Sequence, residues 1–191
     1  MANLAFFFGI VGSLKQFDLN NISAPLSEVE QYLATKYDAR FSMHPKLFED
    51  VTASVFRNLG YSSMVTGFTH DGGIDIILQK DLIQIGVQVK RYKNKIGVEQ
   101  IRSFGGALIL SGYLEGIFVS TSDFRSGAVN AAENFNKKGL PIKLINADKF
   151  YDALKIKRKN TFDLDEFRVM FKSHSISKLI YYGWDIPMNS L

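Results

Sequence analysis

Three polar side chains stand at the ends of two adjacent apolar segments. Asp75 precedes the run Ile76–Leu78, whereas Gln88 and Lys90 lie at the end of the segment Leu82–Lys90. A carboxylate and a second oxygen ligand can hold a hard cation such as Mg²⁺. Such a cation polarises a phosphate and activates a water molecule, and a nearby ammonium stabilises charge or orients that water. These residue types suit phosphodiester hydrolysis, provided that the fold brings them together.

The spacing of these residues predicts how the chain could do so. Apolar and polar side chains alternate along Leu82–Lys90, which is typical of a half-buried strand. Gln88 and Lys90 then project from one face, about 6–7 Å apart at the rise of a strand. Gln79–Asp81 is about the right length for a hairpin turn, so Ile74–Leu78 should pair antiparallel with this strand. Antiparallel pairing brings the ends that carry the three polar side chains together.

Each side chain also has an ordinary structural explanation. An Asp after two glycines is usually a turn residue, and Gln and Lys on a strand usually form its solvated face. Glu49 lies beside the apolar Phe48 in a helix that Pro45 begins, and its charge there could simply be favoured by the helix dipole. It is the combination and its spacing that favour a catalytic site.

Gly72-Gly73-Ile74-Asp75 followed by Gln88-Val89-Lys90 resembles the PD-(D/E)XK nuclease signature of the Mrr-like restriction endonucleases, where Gln often replaces the second acid. The resemblance covers about residues 41–154. It also includes Pro45–Glu49, Leu59–Tyr61, Arg91–Lys93, Val98–Arg102 and Gly116–Ser122.

The resemblance implies a role for each matching side chain. Asp75 corresponds to a metal ligand, Gln88 to the second ligand position and Lys90 to the catalytic lysine. Glu49 corresponds to an acid that supports the metal site, and the implied cofactor is Mg²⁺ or Mn²⁺. Because Gln88 stands where the strict pattern has Glu or Asp, the metal site is less negative than in that pattern.

A basic run with an aromatic side chain follows the trio. Next to a phosphodiesterase site it would follow an anionic nucleic-acid backbone, although a solvated loop is an equally good explanation. The candidate nucleic-acid-binding residues in this run are Arg91, Tyr92, Lys93 and Lys95.

Three further side chains are candidates near the site. Gln100, at the start of the next helix, could point back at the site or face solvent. His70 and Asp71 are accessory candidates, as a general base and as an acid that lines the site. An exposed loop His and a turn-capping Asp are the ordinary alternatives.

Composition limits the class of protein. With 191 residues, of which 46% are hydrophobic, the chain can form one domain with a sizeable core. A formal charge of +4 permits a nucleic-acid partner without requiring one. The absence of cysteine excludes disulfides, zinc–thiolate sites and cysteine nucleophiles. The sequence also contains neither a P-loop nor a GxSxG elbow, so nucleotide-driven and serine hydrolases have no support.

The order of elements predicts an α/β fold. A hairpin followed by strand–helix–strand–helix gives a mixed central β-sheet flanked by helices on both sides, which is also the restriction-endonuclease-like core that the resemblance implies. Gly105-Gly106, in the helix predicted for Val98–Leu110, should permit close packing on the sheet. We predict a nuclease domain at 41–154, an N-terminal extension at 1–40, and a C-terminal extension at 155–191 packed on or flanking the core.

The N-terminal extension should hold a strand and a short helix. Met1–Phe17 is apolar, and Ser27 with Glu30 fits a capping box. Leu4–Val11 faintly suggests a signal-peptide core, but no basic residue precedes it and no cleavage site follows, which favours a core strand. No segment approaches the length of a transmembrane span, so we expect a cytoplasmic protein without a membrane partner.

Taken together, these patterns predict a metal-dependent endodeoxyribonuclease that acts in restriction or phage defence. Cutting a duplex generally needs two sites, so we expect a homodimer, with specificity residing in the two extensions or in a partner chain. The alternatives are a Holliday-junction-resolving nuclease, a non-cleaving nucleic-acid-binding module and a structural protein. A module that only binds has no need of Asp75, which argues against the second alternative.

Overall fold

A computed structural model describes residues 17–67 and 73–158 of the chain, with the backbone alone at residues 155–158. The predicted strand in Met1–Phe17, apart from its last residue, and the predicted C-terminal extension beyond residue 158 lie outside the described residues. The helices are α1 Leu26–Thr35, a 3-10 helix Tyr37–Phe41, α2 Pro45–Asn58, α3 Val98–Leu110, α4 Ser126–Lys137 and α5 Ala147–Arg158. The strands are β1 Ser62–Val65, β2 Ile76–Lys80, β3 Ile83–Lys90, β4 Gly116–Ser120 and β5 Ile142–Ile145.

The strands form one mixed sheet in the order β1-β2-β3-β4-β5. β1, β2 and β3 pair antiparallel, whereas β3, β4 and β5 pair parallel. The parallel connections run through α3 and α4, and a turn at Asp81-Leu82 closes the hairpin between β2 and β3. Asp81 adopts a left-handed conformation there, with φ of 55°. The predicted α/β fold with a mixed central sheet is confirmed.

The middle of β3 is buried on both faces, and its side chains alternate between two layers. Gly86 faces α3, because a Cβ placed on it would lie 2.6 Å from the Leu108 side chain. Ile85 and Val87 therefore face the opposite layer, and they are 3% and 0% exposed. Gln88 and Lys90 share the face of Gly86, since their positions differ from it by two and four residues.

The predicted capping box at the start of α1 is wrong. The helix begins at Leu26, Pro25 is the residue that precedes it, and no side chain caps this end. The Pro25 carbonyl accepts hydrogen bonds from the backbone of Glu28 and Val29. Ser27 is therefore already helical, whereas an N-cap residue must lie outside the helix for its side chain to reach back.

The close approach predicted at Gly105-Gly106 involves a neighbouring helix rather than the sheet. A Cβ on Gly105 would lie 2.2 Å from the Phe135 ring of α4, whereas a Cβ on Gly106 would meet nothing within 4 Å. The approach of α3 to the sheet instead depends on Gly86 and Gly116, which both leave room for Leu108.

In the described ranges, no helix combines the length and the apolar character needed to cross a membrane.

The adjacent residues Gly105 and Gly106 give a matched test of the packing between α3 and α4. Gly106→Ala should raise the free energy of unfolding by about 0.5–1 kcal/mol, because alanine favours the helix. Gly105→Ala should lower it by about 1–3 kcal/mol, because the methyl group displaces the Phe135 ring. Urea denaturation of both variants measures the difference, and equal stabilisation by both would contradict the contact between α3 and α4.

Candidate active site

The hairpin register places Asp75 next to the end of β3. Ile76 pairs with Val87, and the Asp75 N–H donates a hydrogen bond to the Val87 carbonyl at 2.8 Å. The pairing therefore continues one residue before β2 begins. The Asp75 side chain then turns onto β3, where Oδ2 accepts a hydrogen bond from the Val89 N–H at 2.6 Å. The carboxylate is thus held at the residue that separates Gln88 from Lys90.

The environment of Asp75 opposes its charge in one respect and supports it in three. Burial is the largest effect and raises the pKa of the Asp75 carboxyl above its usual value. The hydrogen bond from Val89 and the positive charges of Lys90 and Lys46 act in the opposite direction. The positive charge of Lys90 thus favours the ionised form of Asp75.

The second carboxylate of the candidate site is that of Glu49, on α2. Burial raises the pKa of the Glu49 carboxyl, the negative charge of Asp75 raises it further, and the positive charge of Lys46 lowers it. Glu49 Oε2 also accepts a hydrogen bond from Lys46 Nζ at 3.4 Å. A carboxylate whose ionisation is opposed by burial and by a second carboxylate would be stabilised by a divalent cation.

Gln88 is held close to the turn that precedes Asp75. Gly73 in that turn has a φ of 107°, a conformation that favours glycine. A Cβ at Gly73 would lie 2.7 Å from Gln88 Nε2, so the position also needs glycine for lack of space. The backbone thereby approaches the half-buried amide closely, as the paired glycines predict.

Lys90 lies at the point where two parallel strands end. Its carbonyl accepts a hydrogen bond from the Thr121 N–H at 3.1 Å, and its ammonium lies 5.7 Å from the centre of the Tyr92 ring. The buried Thr121 hydroxyl accepts a hydrogen bond from the Tyr92 N–H at 2.9 Å and donates one to the Tyr92 carbonyl at 3.0 Å. Thr121 therefore fixes the backbone that leaves the strand after Lys90.

The side chains of the basic run, residues 91–95, differ in their exposure and in their contacts. Tyr92 is 42% exposed, and Lys93 is exposed beside it. Lys95 is exposed as well, but its Nζ lies 3.7 Å from the carboxylate of Asp123. Arg91 turns inward, where Nη1 donates a hydrogen bond to the Phe41 carbonyl at 2.5 Å. Only part of the run therefore offers side chains that are open to a ligand.

The remaining candidates lie elsewhere. The Oε1 atom of Gln100 accepts a hydrogen bond from the Gly97 N–H at 3.0 Å, which closes the start of α3. His70 and Asp71 fall outside the described residues. The structure thus gathers Asp75, Gln88, Lys90 and Glu49, and it gives Gln100 a structural contact within its own helix.

Lys46 is the residue of this site that the sequence patterns did not single out. Its ammonium lies 3.4 Å from Glu49 and 3.5 Å from Asp50, and its charge acts on Asp75 as well. The signal was the spacing of three and four residues between one lysine and two acids on a helix, which makes them neighbours.

The donor set suits a hard divalent cation. Asp75 and Glu49 offer carboxylate oxygens and Gln88 offers an amide oxygen, which are the ligands that Mg²⁺ and Mn²⁺ accept. No group of three or more His, Cys, Asp or Glu side chains with metal-binding geometry occurs in the part of the chain that the structure describes. A bound cation would therefore need water or substrate oxygens as well, as is usual for Mg²⁺.

The chain belongs to a family of restriction endonucleases, because the family model Mrr_cat, described as restriction endonuclease, matches residues 40–154. A curated relative is the Type IV methyl-directed restriction enzyme EcoKMrr of Escherichia coli (strain K12), which is 31% identical over 128 residues. That alignment covers 59% of this chain and 42% of EcoKMrr, so the chain spans about two fifths of its relative's length.

Two solved structures share the fold. The DNA modification-dependent restriction endonuclease AspBHI has a TM-score of 0.52 at 19% identity, over 75% of this chain and 39% of that chain. The small subunit R.BspD6I2 of the heterodimeric restriction endonuclease R.BspD6I has a TM-score of 0.51 at 20% identity, over 75% of this chain and 87% of that chain. These likenesses confirm the restriction-endonuclease-like fold.

The raised pKa of Glu49 predicts a stability effect that depends on pH. Because the folded state holds this proton more tightly than the unfolded state, ionised Glu49 destabilises the metal-free protein above its raised pKa. Glu49→Gln should therefore raise the melting temperature at pH 7 by roughly 1–3 °C. The gain should shrink as the pH falls from the raised pKa to the ordinary pKa of Glu, because wild-type Glu49 then becomes neutral.

Thermal melts of the metal-free protein between pH 7 and pH 4 would measure this trend. Glu133→Gln, at an exposed position of α4, is the matched control and should not follow it. A gain from Glu49→Gln that stays constant over the whole range would contradict the raised pKa of Glu49.

Proposed function

We propose that this chain is a metal-dependent endonuclease that hydrolyses phosphodiester bonds of DNA in restriction or phage defence. The observation that carries the proposal is the hydrogen bond from the Val89 N–H to Asp75, which holds a partly buried carboxylate at the residue between Gln88 and Lys90. The membership in a restriction endonuclease family supports it. EcoKMrr and AspBHI, by their names, are directed by DNA modification, which makes modified DNA a substrate to test.

Each residue of the site has a role in this proposal. Asp75, Gln88 and Glu49 would hold Mg²⁺ or Mn²⁺. The cation, when bound, would polarise the scissile phosphate and lower the pKa of water. Lys90 would stabilise the negative charge that develops on the phosphate and orient the attacking water. The raised pKa values of Asp75 and Glu49 imply that metal binding weakens toward acidic pH, because both carboxyls must be ionised.

The exposed part of the basic run would bind the DNA next to the cut. Tyr92 offers a ring on a backbone that Thr121 fixes, and Lys93 offers a cation beside it. An aromatic face and a positive charge together suit a nucleotide and its phosphate. Arg91, Lys95 and Gln100 remain predicted contributors, although each contacts another part of the protein in the absence of DNA.

The assembly and the cellular location are part of the proposal. Two copies of the site, in a homodimer, would cut both strands of a duplex. A separate specificity partner is the other arrangement, and R.BspD6I2 is by its title a small subunit of a heterodimeric enzyme. We place the protein in the cytoplasm, where it would meet incoming DNA.

A module that binds DNA without cutting it accounts less well for the site. Burial raises the pKa of Asp75, so keeping its charge at neutral pH reduces the stability of the fold. Binding DNA phosphates would favour a lysine or a neutral residue at that position. A cation that offsets its charge would account for an acid at this partly buried position.

Cleavage assays test the proposal directly. Wild-type protein with Mg²⁺ or Mn²⁺ should cut DNA, and EDTA should abolish the activity. Asp75→Asn and Lys90→Ala should each lower the rate by roughly 10²–10³-fold, because each removes a charge at the reacting phosphate. Lys137→Ala, at an exposed position on α4, should leave the rate unchanged.

The substrates should include methylated and unmethylated plasmids, linear duplex and four-way junctions. Preference for the junction would favour the resolving nuclease instead. Binding of DNA that is unaffected by EDTA, Asp75→Asn and Lys90→Ala, without cleavage by any protein, would favour the binding module.

Thr121 should act as a positioning residue for Lys90 and Tyr92. Thr121→Val removes both hydrogen bonds to Tyr92 while keeping the shape, and we expect a loss of roughly tenfold in kcat/KM. Thr121→Ser keeps the hydroxyl and should restore most of the activity. Equal losses in both variants, or no loss in either, would contradict a role for this hydroxyl.

A further inference from the structure

Lys46 has no role in the reaction proposed above, yet it lies between two acids at the edge of the site. Its Nζ is 3.4 Å from Glu49 Oε2 and 3.5 Å from Asp50 Oδ1. The three side chains are 28%, 21% and 34% exposed, respectively, so protein covers most of each one. Ion pairs in such positions are screened less by water than open surface pairs.

The charge of Lys46 reaches both acids that are proposed to hold the metal. It lowers the pKa of Glu49, with which it shares a hydrogen bond, and it lowers the pKa of Asp75, which precedes β2. One ammonium therefore provides positive charge at the place where the proposed function puts a divalent cation.

An ammonium and a metal ion compete for the same carboxylate. The ammonium only donates hydrogen bonds, so on Glu49 it occupies a lone pair of Oε2 that a metal ion could otherwise use. The two cations would also repel each other at this distance. A metal ion that binds Glu49 through Oε2 must therefore displace Lys46, and one that binds through Oε1 still meets its repulsion.

Asp50 gives the displaced ammonium another partner. Asp50 lies four residues after Lys46 on α2, and its carboxylate is already within 3.5 Å of Nζ. Lys46 can therefore exchange Glu49 for Asp50 through side-chain rotation alone, without any change in the helix.

We propose that Lys46 is an internal counter-cation of the metal site. It holds Glu49 in the metal-free protein, lowers the affinity of the site for a divalent cation, and shifts to Asp50 when the cation binds. This inference rests on the proposed metal-dependent function. A site weakened in this way fills most readily when DNA adds phosphate oxygens, which Mg²⁺ commonly takes as ligands.

The test measures metal affinity without any DNA. Mn²⁺ is titrated into the metal-free 191-residue chain and followed by electron paramagnetic resonance or calorimetry. Lys46→Met keeps the length of the side chain without its charge, and it should bind Mn²⁺ roughly tenfold more tightly than wild type. Lys46→Arg keeps the charge and should stay within about twofold of wild type.

Two controls separate this inference from the metal site itself. Asp75→Asn should lose most of the Mn²⁺ affinity, and Lys137→Met, which removes an exposed positive charge on α4, should change it little. Lys46→Gln provides a second neutral variant if Lys46→Met is poorly folded, and thermal melts establish that each variant is folded.

The outcomes are distinguishable. If Lys46→Met and Lys46→Gln bind Mn²⁺ no more tightly than wild type while Asp75→Asn loses binding, the inference about Lys46 is overturned and the metal site stands. If Asp75→Asn binds as wild type does, or if no protein binds Mn²⁺, both the metal site and the inference fail. An equal gain in Lys137→Met would reduce the effect to net charge and would also overturn the inference.

Discussion

The hydrogen bond between the Val89 N–H and the Asp75 carboxylate is the contact on which the site depends. It uses a backbone donor at the end of a central strand to hold a carboxylate whose charge burial disfavours. The donor can reach Asp75 because the hairpin pairs Ile76 with Val87. A shift of one residue in this register would turn the acid toward the opposite face of the sheet. The chemistry of the site therefore depends on the register of the hairpin.

The neighbouring elements contribute to the site around Asp75 in different ways. The helix α2 brings a second acid and its own lysine, so that the charge near Asp75 is partly balanced before any cation arrives. The parallel strand β4 ends beside β3, and Thr121 there fixes the backbone after Lys90. Gly73 lets the preceding turn come close to Gln88. A site whose acids are destabilised in the free protein gains most from a ligand that offsets their charge.

Much of this arrangement follows from local patterns in the sequence. Alternation along Leu82–Lys90 and the short turn before it predict the hairpin, and the order of later elements predicts the parallel half of the sheet. The contacts of long polar side chains could not be predicted in this way. Arg91 finds its partner at Phe41, 50 residues earlier in the chain, and only the folded protein brings them together. The spacing of Lys46 from Glu49 and Asp50 on α2 was visible in the sequence, whereas its effect on Asp75 depends on the fold. The capping box at Ser27 failed because the helix begins at Leu26, so that Ser27 is already helical.

The most direct test of the central claim is to locate a bound cation. Anomalous diffraction from crystals of the wild-type protein soaked in Mn²⁺ would give its position. We predict one strong peak within coordination distance of the Asp75 carboxylate, on the side of Gln88 and Glu49, and no peak there in crystals of Asp75→Asn. A peak at another place, or none near Asp75 at saturating Mn²⁺, would contradict the metal site at the end of β3.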